Sequence, residues 1–454
     1  MLFSALVFLV LSTLISCDGN DRGRGWQGDP LSSFCRRFGH STSVVDHKLY
    51  INGGIVNYSP QSNGMLTITD RYLLYNDLTT MNSANGMPQL YSNLTKNRTD
   101  LSVTGGALWG DSVNKFLYQF GGESSGKDLV TAADGLSIYD LVLNRWNHTK
   151  APWSIRQTSW GASAVAEERG EGYYLGGWIN NGTNPGFVGQ QATPGLIRFD
   201  FNTGKMTNTS GPDMNARAEG VLVFIPASDN GMLIHFGGII DQFRNGTMVG
   251  SPMNTIWVYD LITSKWISQN ASGDIPDMRR RFCAGATWAN DHSSYNIYLY
   301  GGLGIPPNGA GFDDVYILSL PSFTWVKWWS NSPSNPRHSM SCNVINRTQM
   351  IVIGGQLPDA DPTSCDLPNI WGTRNLNLGK NGPGDSVWDL YYPNLTEYHV
   401  PSEVIAKIGG GPSGGATLQK PLNWDNRDLG AYFSRIPHFA SRTATRVIPS
   451  ATGT

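Results

Sequence analysis

The sequence has few charged residues and no surplus of either sign. Asp, Glu, Lys and Arg make up 15% of the 454 residues, with 33 basic against 35 acidic side chains. Lysine and arginine do not cluster among aromatic residues, which argues against a nucleic-acid partner. The chain also lacks a GxSxG turn, a phosphate-binding glycine loop and a histidine-rich metal motif. We therefore predict no nucleic-acid partner and no cofactor.

Long hydrophobic runs are scarce as well. The N-terminal stretch MLFSALVFLVLSTLISC is an apolar run of about 16 residues, whereas a bilayer span needs about 20. Such a run is typical of a secretory signal, although this one has no basic n-region. Cys17 also fits a bacterial lipoprotein box, but the glycosylation sequons described below favour eukaryotic secretion. We expect a signal peptide at 1–17 and an N-terminal extension at 18–36.

Glycine, in contrast, is abundant, with 53 residues. Pairs of glycines end six aromatic or aliphatic runs, such as KFLYQFGG and NIYLYGG. The pairs begin at Gly53, Gly121, Gly176, Gly237, Gly301 and Gly354. Their starts lie 53 to 68 residues apart. A repeat of this length built from strands indicates the blades of a β-propeller.

Each repeat carries further marks of a four-stranded unit. A short strand precedes the glycine pair, and a later strand ends in an aromatic residue followed by Asp. A bulky residue follows that Asp by six positions, as in Tyr139, Asp140 and Trp146. The intervening turn holds Asn, Thr, Gly, Pro or Ser, which suits a tight connection between the third and fourth strands.

This pattern resembles the kelch repeat over residues 37–400. The resemblance implies an all-β fold, a six-bladed kelch-type β-propeller with an N-terminal signal peptide and a flexible C-terminal stalk. We expect six whole blades, without an outer strand for blade 6 from residues 20 to 36. Longer strings such as GGALWGDSVNKFLYQFGGE and GFDDVYILSLPSFTWVKW resemble fungal kelch-repeat surface proteins. That likeness implies a secreted or cell-surface location but no established reaction.

The C-terminal region, 401–454, lacks the blade repeat. IGGGPSGGATLQ is typical of a glycine-rich linker, and the final residues, rich in Ser, Thr and Arg, suggest an extended stalk. An alternative role for Arg442 and Arg446 is to bind an anionic wall polymer. In the fungal surface proteins a transmembrane helix follows the stalk, so we expect membrane attachment only if such a helix is missing from this chain.

Asn-x-Ser/Thr sequons occur about twice as often as chance predicts, which favours a secreted glycoprotein. They lie at Asn57, Asn93, Asn97, Asn147, Asn181, Asn208, Asn245, Asn270, Asn346 and Asn394. In a kelch-type blade, most of these positions fall in the loops between strands 2 and 3 or after strand 4. We therefore expect eight of the ten to crowd one face or its rim.

Four cysteines remain after the signal: Cys35, Cys283, Cys342 and Cys365. In an oxidising compartment an even number suggests disulfides, and four cysteines allow three connectivities. Because Cys342 and Cys365 both belong to the sixth repeat, we favour a disulfide between them. The alternative for Cys283 is a small buried apolar residue.

Catalysis is one alternative function, because propellers that resemble galactose oxidase carry a copper site. That site needs two His, two Tyr and a Cys cross-linked to one Tyr. Only His40 and His338 occupy equivalent places in neighbouring blades, and a His that caps a strand by hydrogen bonding explains both. We predict that the chain is not an enzyme and has no metal site. A secreted copper oxidase is the alternative.

Long strand 2 to 3 loops carry aromatic side chains, which on a rigid scaffold are common binding anchors. We predict ligand contacts from Trp178, Phe187, Phe243 and Trp371. The predicted function is an extracellular binding or adhesion module at the fungal cell surface or wall, with a cell-wall polysaccharide or an extracellular protein as partner. The alternative for Trp178 and Trp371 is that they pack under their own loops.

Overall fold

The fold is almost entirely antiparallel β-sheet, with two short α-helices near the C-terminal end. The structure, a computed structural model, describes residues 29–59, 66–70, 72–94, 96, 102–124, 135–152, 154–307, 309–331, 335–358, 364–380, 382–383 and 386–449. The predicted signal peptide therefore lies outside the described residues. None of the helices within these ranges is long and apolar enough to cross a membrane.

Five four-stranded antiparallel sheets form blades 1 to 4 and 6, and four antiparallel strands of a six-stranded sheet form blade 5. Each blade orders its strands as they follow in the chain. Blade 1 comprises Ser41–Val45, Lys48–Asn52, Leu73–Asp77 and Gln89–Tyr91. Blade 2 comprises Ala107–Asp111, Phe116–Phe120, Gly135–Asp140 and Arg145–Lys150. Blade 3 comprises Ala162–Ala166, Glu171–Leu175, Leu196–Asp200 and Met206–Thr209.

The remaining blades follow the same order. Blade 4 comprises Val221–Ile225, Met232–Phe236, Thr255–Asp260 and Lys265–Asn270. Blade 5 comprises Cys283–Trp288, Tyr295–Gly304, Gly311–Leu320 and Thr324–Trp329. Blade 6 comprises Ser341–Ile345, Gln349–Ile353, Thr373–Asn377 and Trp388–Asp389.

The first strands of the blades contact one another in sequence around the axis. The ring is closed because Ser41–Val45 contacts both Ala107–Asp111 and Ser341–Ile345. As predicted, blade 6 draws all four strands from its own stretch of chain. The N-terminal strand Phe34–Phe38 pairs instead with Ile55–Tyr58, on the blade 1 loop.

Glycine pairs join adjacent blades, which explains why they end each second strand. In every pair the second glycine donates its N–H to a carbonyl of the following blade, at 2.8–2.9 Å. The donor and acceptor pairs are Gly54 and Val103, Gly122 and Thr158, Gly177 and Arg217, Gly238 and Arg279, Gly302 and Arg337, and Gly355 and Arg37. All twelve glycines have positive φ, a conformation that a side chain disfavours.

Gly176 shows how little space the interblade contact leaves. An added Cβ would lie 2.1 Å from the Arg217 carbonyl oxygen, at φ +70. We expect Gly176→Ala to lower the free energy of unfolding by about 3 kcal/mol, from left-handed strain and overpacking together. Gly204 is the matched control, because it has φ +68 but nothing within 4 Å, and its replacement should cost about 1 kcal/mol. Urea denaturation measures both free energies of unfolding. Equal losses for the two variants would contradict the close interblade contact at Gly176.

The aromatic-Asp pairs shape the turns between strands 3 and 4. Asp140 Oδ1 accepts hydrogen bonds from the N–H groups of Val142 and Leu143, at 2.9 and 3.0 Å. The bulky residue six positions later returns opposite the aromatic one, so that the Tyr139 and Trp146 rings lie 5.1 Å apart. The spacing seen in the sequence is thus the length of one capped hairpin.

Short strands extend the strand 2 to 3 loops and the segments before the first strands, on one side of the disc. Three sheets lie there: Phe34–Phe38 with Ile55–Tyr58 and Leu66–Thr69; Trp178–Asn180 with Gln190–Ala192; and Ala216–Ala218 with Ile239–Asp241 and Val249–Gly250. On blade 5, Arg279–Arg280 pairs with Tyr295–Gly304 on this side, whereas Ser272–Gly273 pairs in parallel with Thr324–Trp329 beside the turn between strands 3 and 4. We call this side the loop face and the opposite side the turn face.

The disulfide predicted between Cys342 and Cys365 is wrong. Cys35 is bonded to Cys365, and Cys283 to Cys342. The first bond ties the N-terminal strand to the long loop of blade 6, and the second joins the first strands of blades 5 and 6. Both bonds cross between segments that are distant in sequence, so membership of one repeat was a poor guide to pairing.

The predicted flexible linker and stalk are wrong for residues 401–449, which pack on the propeller. Helix α1, Ser402–Ile408, buries Val404 and Ile408 in a core shared with blades 5 and 6. Helix α2, Arg427–Phe433, buries Leu429 and Tyr432 in a core shared with blades 4 and 5. Spacing of apolar residues at three and four positions supplies this buried face, and glycines around Gly409 end α1 in a tight turn.

Candidate functional site

The loop face surrounds an axial mouth formed by six equivalent residues, each just before a first strand. They are Gly39, Gly105, Trp160, Glu219, Arg281 and Ser339. Each donates its backbone N–H to the carbonyl of the preceding one, and Gly39 donates to Ser339, at 2.6–2.8 Å. All six have positive φ, which for the four that are not glycine is a strained conformation. A closed ring of backbone hydrogen bonds thus frames the mouth.

The Trp160 side chain lies flat across part of this mouth. A Cβ on Gly39 or Gly105 would approach the indole to 2.9 or 2.6 Å, so only glycine leaves room for the ring at those two positions. Trp160 Nε1 donates to Glu123 Oε1 at 3.0 Å. The space left beside the ring is about 130 Å³, well below the size of ordinary small-molecule sites. The mouth therefore offers a surface and not a ligand cavity.

Charge at the mouth is organised around Glu219, whose side chain is fully buried. Its carboxylate accepts from Arg281 Nη2 at 2.8 Å and from Arg280 Nη1 at 2.6 Å. Burial raises the pKa of Glu219, but the two guanidinium groups outweigh it and hold the pKa below its usual range. Two cations face one carboxylate here, so this cluster carries an excess positive charge.

Arg281 presents that charge to solvent. Its guanidinium carbon lies 4.1 Å from the centre of the Trp160 ring, which is close cation–π contact, and its side chain is 26% exposed. Sequence analysis did not identify Trp160, Glu219 or Arg281. The signal that could have found them is their common offset before each first strand, where three of the six repeats place a large or charged residue instead of glycine or serine.

Trp178 does not line a ligand site, contrary to the prediction. It is 1% exposed and donates Nε1–H to Glu219 Oε1 at 2.9 Å. It therefore positions the carboxylate that holds Arg281.

Trp371 is partly buried. Its ring packs against the cores of blades 1 and 6, and its Nε1–H donates to the Leu31 carbonyl at 3.0 Å. Phe187 is half-buried in its loop. Phe243 is 72% exposed, so among the four predicted residues it is the one that the fold presents freely.

Apolar side chains, including Phe243, are exposed in several segments of the loop face. The side chains in these loops with the largest exposure are Val188, Met214, Phe243, Val249, Ile275, Met278 and Leu367. Near Gly250, Met278 and Ile305 come within 2.9 and 2.8 Å of the Cβ position. Ile305 and Trp160 both flank the buried cluster around Trp178. Met278 and Ile305 of blade 5 therefore lie beside the blade 4 loop at Gly250.

A pocket of about 520 Å³ opens at the rim of blade 3 on the same face. Its charged lining residues are Arg156, Asp213 and Arg244. Asp213 is already paired with the buried Arg217, so the two exposed arginines leave the pocket positive. Hydroxyl groups of Ser154, Thr193 and Ser210 are also among its walls, and its volume falls in the range of small-ligand sites.

His40 and His338 are held by serines, as the hydrogen-bonding alternative proposed. His40 Nε2 lies 3.0 Å from Ser341 Oγ, and His338 Nδ1 lies 2.9 Å from Ser339 Oγ. Burial lowers the pKa of His40 to about 3 and that of His338 to about 4, so both are neutral near pH 7. Within the part of the chain that the structure describes, no three His, Cys, Asp or Glu residues converge as a metal site would require.

Several of the ten sequon asparagines make hydrogen bonds within the fold, among them Asn57, Asn270 and Asn346. Asn57 is 2% exposed and accepts from Arg36 Nε at 3.2 Å. Asn270 donates its backbone N–H and its Nδ2 to Asp425 of the tail, at 2.7 and 2.9 Å. The exposed ones are Asn93, Asn147, Asn181, Asn208, Asn245, Asn270, Asn346 and Asn394. Asn97 lies outside the described residues.

The arrangement of blades can be compared with known proteins. A family model described as the KLHDC2/KLHL20/DRC7 Kelch-repeats domain matches residues 39–302, more than half of the chain. The chain belongs to the kelch-repeat family. This kelch-repeat protein is also 29% identical over 460 aligned residues to a "Kelch repeat-containing protein" of the fungus Arthroderma benhamiae.

That alignment covers 86% of this kelch-repeat chain but 65% of the relative, so the chain spans about two thirds of the relative's length. Among solved structures, YjhT superimposes with a TM-score of 0.53 at 13% identity, over 78% of this chain and 98% of that chain. At this identity the likeness supports the propeller fold alone. The functional argument therefore rests on the loop face itself.

Proposed function

We propose that this kelch-repeat protein is an extracellular binding module of the fungal cell surface or wall, and that it holds a protein partner on its loop face. The observation that carries the proposal is the exposure of apolar side chains in the loop-face segments of blades 4 and 5, where Phe243 is 72%, Val249 52% and Met278 49% exposed. Exposed apolar patches of this kind mark interaction sites. Kelch membership fits a role in binding without a reaction.

The composition of the surface favours a protein over a polysaccharide. Protein interfaces are enriched in Phe, Met and Arg, and the loop face offers Phe243, Met278 and the partly exposed Arg281. The indole rings of Trp178 and Trp371, which could have stacked on sugars, are instead used within the fold. A partner that covers the surface would desolvate the contact of Arg281 with Trp160 and so strengthen it.

A double substitution, Phe243→Ala with Met278→Ala, tests the loop face. We expect labelled protein to lose tenfold or more of its affinity for fungal cells, because interface anchors commonly contribute more than about 1.4 kcal/mol each. The matched control is Leu143→Ala with Ile262→Ala, since these side chains are 51% and 50% exposed in turn-face hairpins. Retention unaffected by the loop-face pair, with an unchanged melting temperature, would refute the site.

The same assay on protease-treated cells identifies the partner's class. A protein partner predicts that retention falls to background after proteolysis, for wild type and control alike. A wall polysaccharide is the second candidate, and the positive rim pocket with Arg156 and Arg244 favours one that bears acidic groups. Retention that survives proteolysis and falls on Arg156→Ala with Arg244→Ala would support this second candidate.

If the protein is secreted as proposed, its accessible sequons should carry N-glycans. We expect glycopeptide mapping of protein secreted from a fungal host to find modification among the exposed sequons, such as Asn181 and Asn245. It should find Asn57 and Asn270 unmodified, because an attached sugar would displace the contacts of Asn57 with Arg36 and of Asn270 with Asp425. Protein without any N-glycan would contradict the proposed location. Full occupancy at Asn270 would contradict the docked tail.

A further inference from the structure

The last described part of the tail, residues 434–449, crosses the turn face beneath blades 3 and 2. It lies between the turns that join strands 1 and 2 and those that join strands 3 and 4. The residues that contact its arginines and Thr445 there are Asp111, Asn114, Asp140, Glu167, Gly170 and Asn202, which we call the arginine groove. This surface lies opposite the loop face and is independent of the proposed function.

Arg442 occupies a closely fitted part of this groove. Its Nη2 donates to Asp111 Oδ1 at 3.0 Å and to Asn202 Oδ1 at 3.2 Å, and its Nη1 donates to the Glu167 carbonyl at 3.0 Å. The Arg442 side chain is 7% exposed and that of Asp111 is fully buried. A Cβ on Gly170 would lie 2.5 Å from the guanidinium carbon. The position thus combines a buried carboxylate, a carbonyl and a residue without a side chain.

The next contacts fix the register of the segment. Arg446 Nη1 donates to Asp140 Oδ2 at 2.8 Å, and its guanidinium lies 4.6 Å from the Phe116 ring centre. Thr445 donates both its N–H and its hydroxyl to Asn114 Oδ1, at 2.8 and 3.0 Å. Two guanidinium sites four residues apart, with a threonine site between them, therefore recognise one extended sequence pattern.

These contacts are selective because the rest of the segment is weakly held. Ile436 and Val447 are 69% and 89% exposed, so beyond the end of helix α2 apolar contact comes mainly from Phe439, whose ring centre lies 6.3 Å from that of Phe224. With the tail in place, Asp111 and Asp140 are 0% and 4% exposed. The two arginine contacts with these carboxylates therefore hold the segment in the groove.

We propose that the arginine groove is a peptide-binding site that the chain's own tail fills. The same groove also accepts, from another molecule, an extended peptide with two arginines four residues apart. The charge complementarity of Asp111 and Asp140 to the two guanidinium groups selects this class of partner. Replacement of the resident segment is feasible because it is attached mainly through side chains and is not a strand of any blade.

The test uses the full chain with Arg442→Ala and Arg446→Ala, which removes the resident arginines. The probe is a fluorescent peptide of residues 438–449, HFASRTATRVIP. We expect the peptide to bind the double variant at least tenfold more tightly than wild type, where the tethered tail competes at high effective concentration. Lys420→Ala, at an exposed tail cation, is the matched control and should behave as wild type.

Two further arms keep the result interpretable. A peptide with both arginines replaced by alanine should not bind, and Asp140→Asn in the double variant should weaken binding of the normal peptide. Hydrogen exchange of residues 434–449 reports release of the tail in the double variant. Absence of peptide binding to a variant whose tail is released overturns the proposal, and so does a tail that stays protected without its arginines.

Discussion

Replacing Glu219 by Gln should lower the free energy of unfolding by about 3–5 kcal/mol, because it leaves buried guanidinium groups without their counter-charge. The Glu219 side chain is fully buried and the side chains of Arg280 and Arg281 are 12% and 26% exposed. The amide would also set N–H donors against N–H donors. Glu219 precedes blade 4 at the mouth, and Arg280 and Arg281 precede blade 5. The Glu219 carboxylate therefore connects the mouth, blade 4 and blade 5.

Chemical denaturation of the wild type and of Glu219→Gln measures this loss. Glu403→Gln is the control, since the pair of Glu403 with Lys380 is 35% and 28% exposed and should contribute no more than about 1 kcal/mol. Because the folded pKa of Glu219 is depressed, its contribution is complete above about pH 4.3 and is lost as pH falls through the folded value. Equal losses in the two variants at pH 7 would exclude a special role for Glu219.

Removing the disulfide between Cys35 and Cys365, by changing both residues to Ser, should be the more damaging of the two possible disulfide deletions. This bond closes a loop of 330 residues, whereas the bond between Cys283 and Cys342 closes one of 59. The chain-entropy relation gives roughly 6 kcal/mol for the first and roughly 4 kcal/mol for the second, and measured losses are commonly about 2–5.

Thermal unfolding of the two double variants checks the order of these effects. A larger loss for the shorter loop would show that local packing between blades 5 and 6 dominates. Peptide mapping without reduction tests the pairing itself. Recovery of a peptide that links Cys342 with Cys365 would contradict the pairing described above.

The repeating part of the fold could be predicted from sequence because its causes are local. A glycine pair is required wherever a second strand meets the next blade, and Asp140 and its counterparts cap hairpins within a few residues. These requirements recur in each blade, so the same residues repeat along the sequence. The kelch resemblance and the number of repeats could be predicted from this repeated pattern.

Most of the candidate site could not be predicted, because its contacts join residues far apart in the chain. The position of Trp178 in a long loop predicts a ligand contact, but its indole N–H donates to Glu219, 41 positions away. The sequence around Trp371 gave no indication that its Nε1–H meets the Leu31 carbonyl, 340 positions away. Phe243 succeeded as an exposed residue because its loop extends beyond the compact cores.

The tail was misread for a different reason. Its glycine-rich start is typical of a linker, but the later stretch WDNRDLGAYF carries the sequence pattern of a short helix. Asn426 precedes the helix and its side chain accepts from the Asp428 N–H, while Leu429, Tyr432 and Phe433 follow at helical spacing. Composition over the whole segment concealed a short amphipathic stretch within it.

The path of the tail also decides how the molecule can be presented. Residues 434–449 run beneath blades 3 and 2 on the turn face, whereas the first described residues lie near Trp371 on the loop face. A surface or tag coupled beyond residue 449 would therefore leave Phe243 and Arg281 facing outward. Coupling through the N-terminal side would turn the same residues toward the support, so immobilised binding assays on this protein should give different answers for the two orientations.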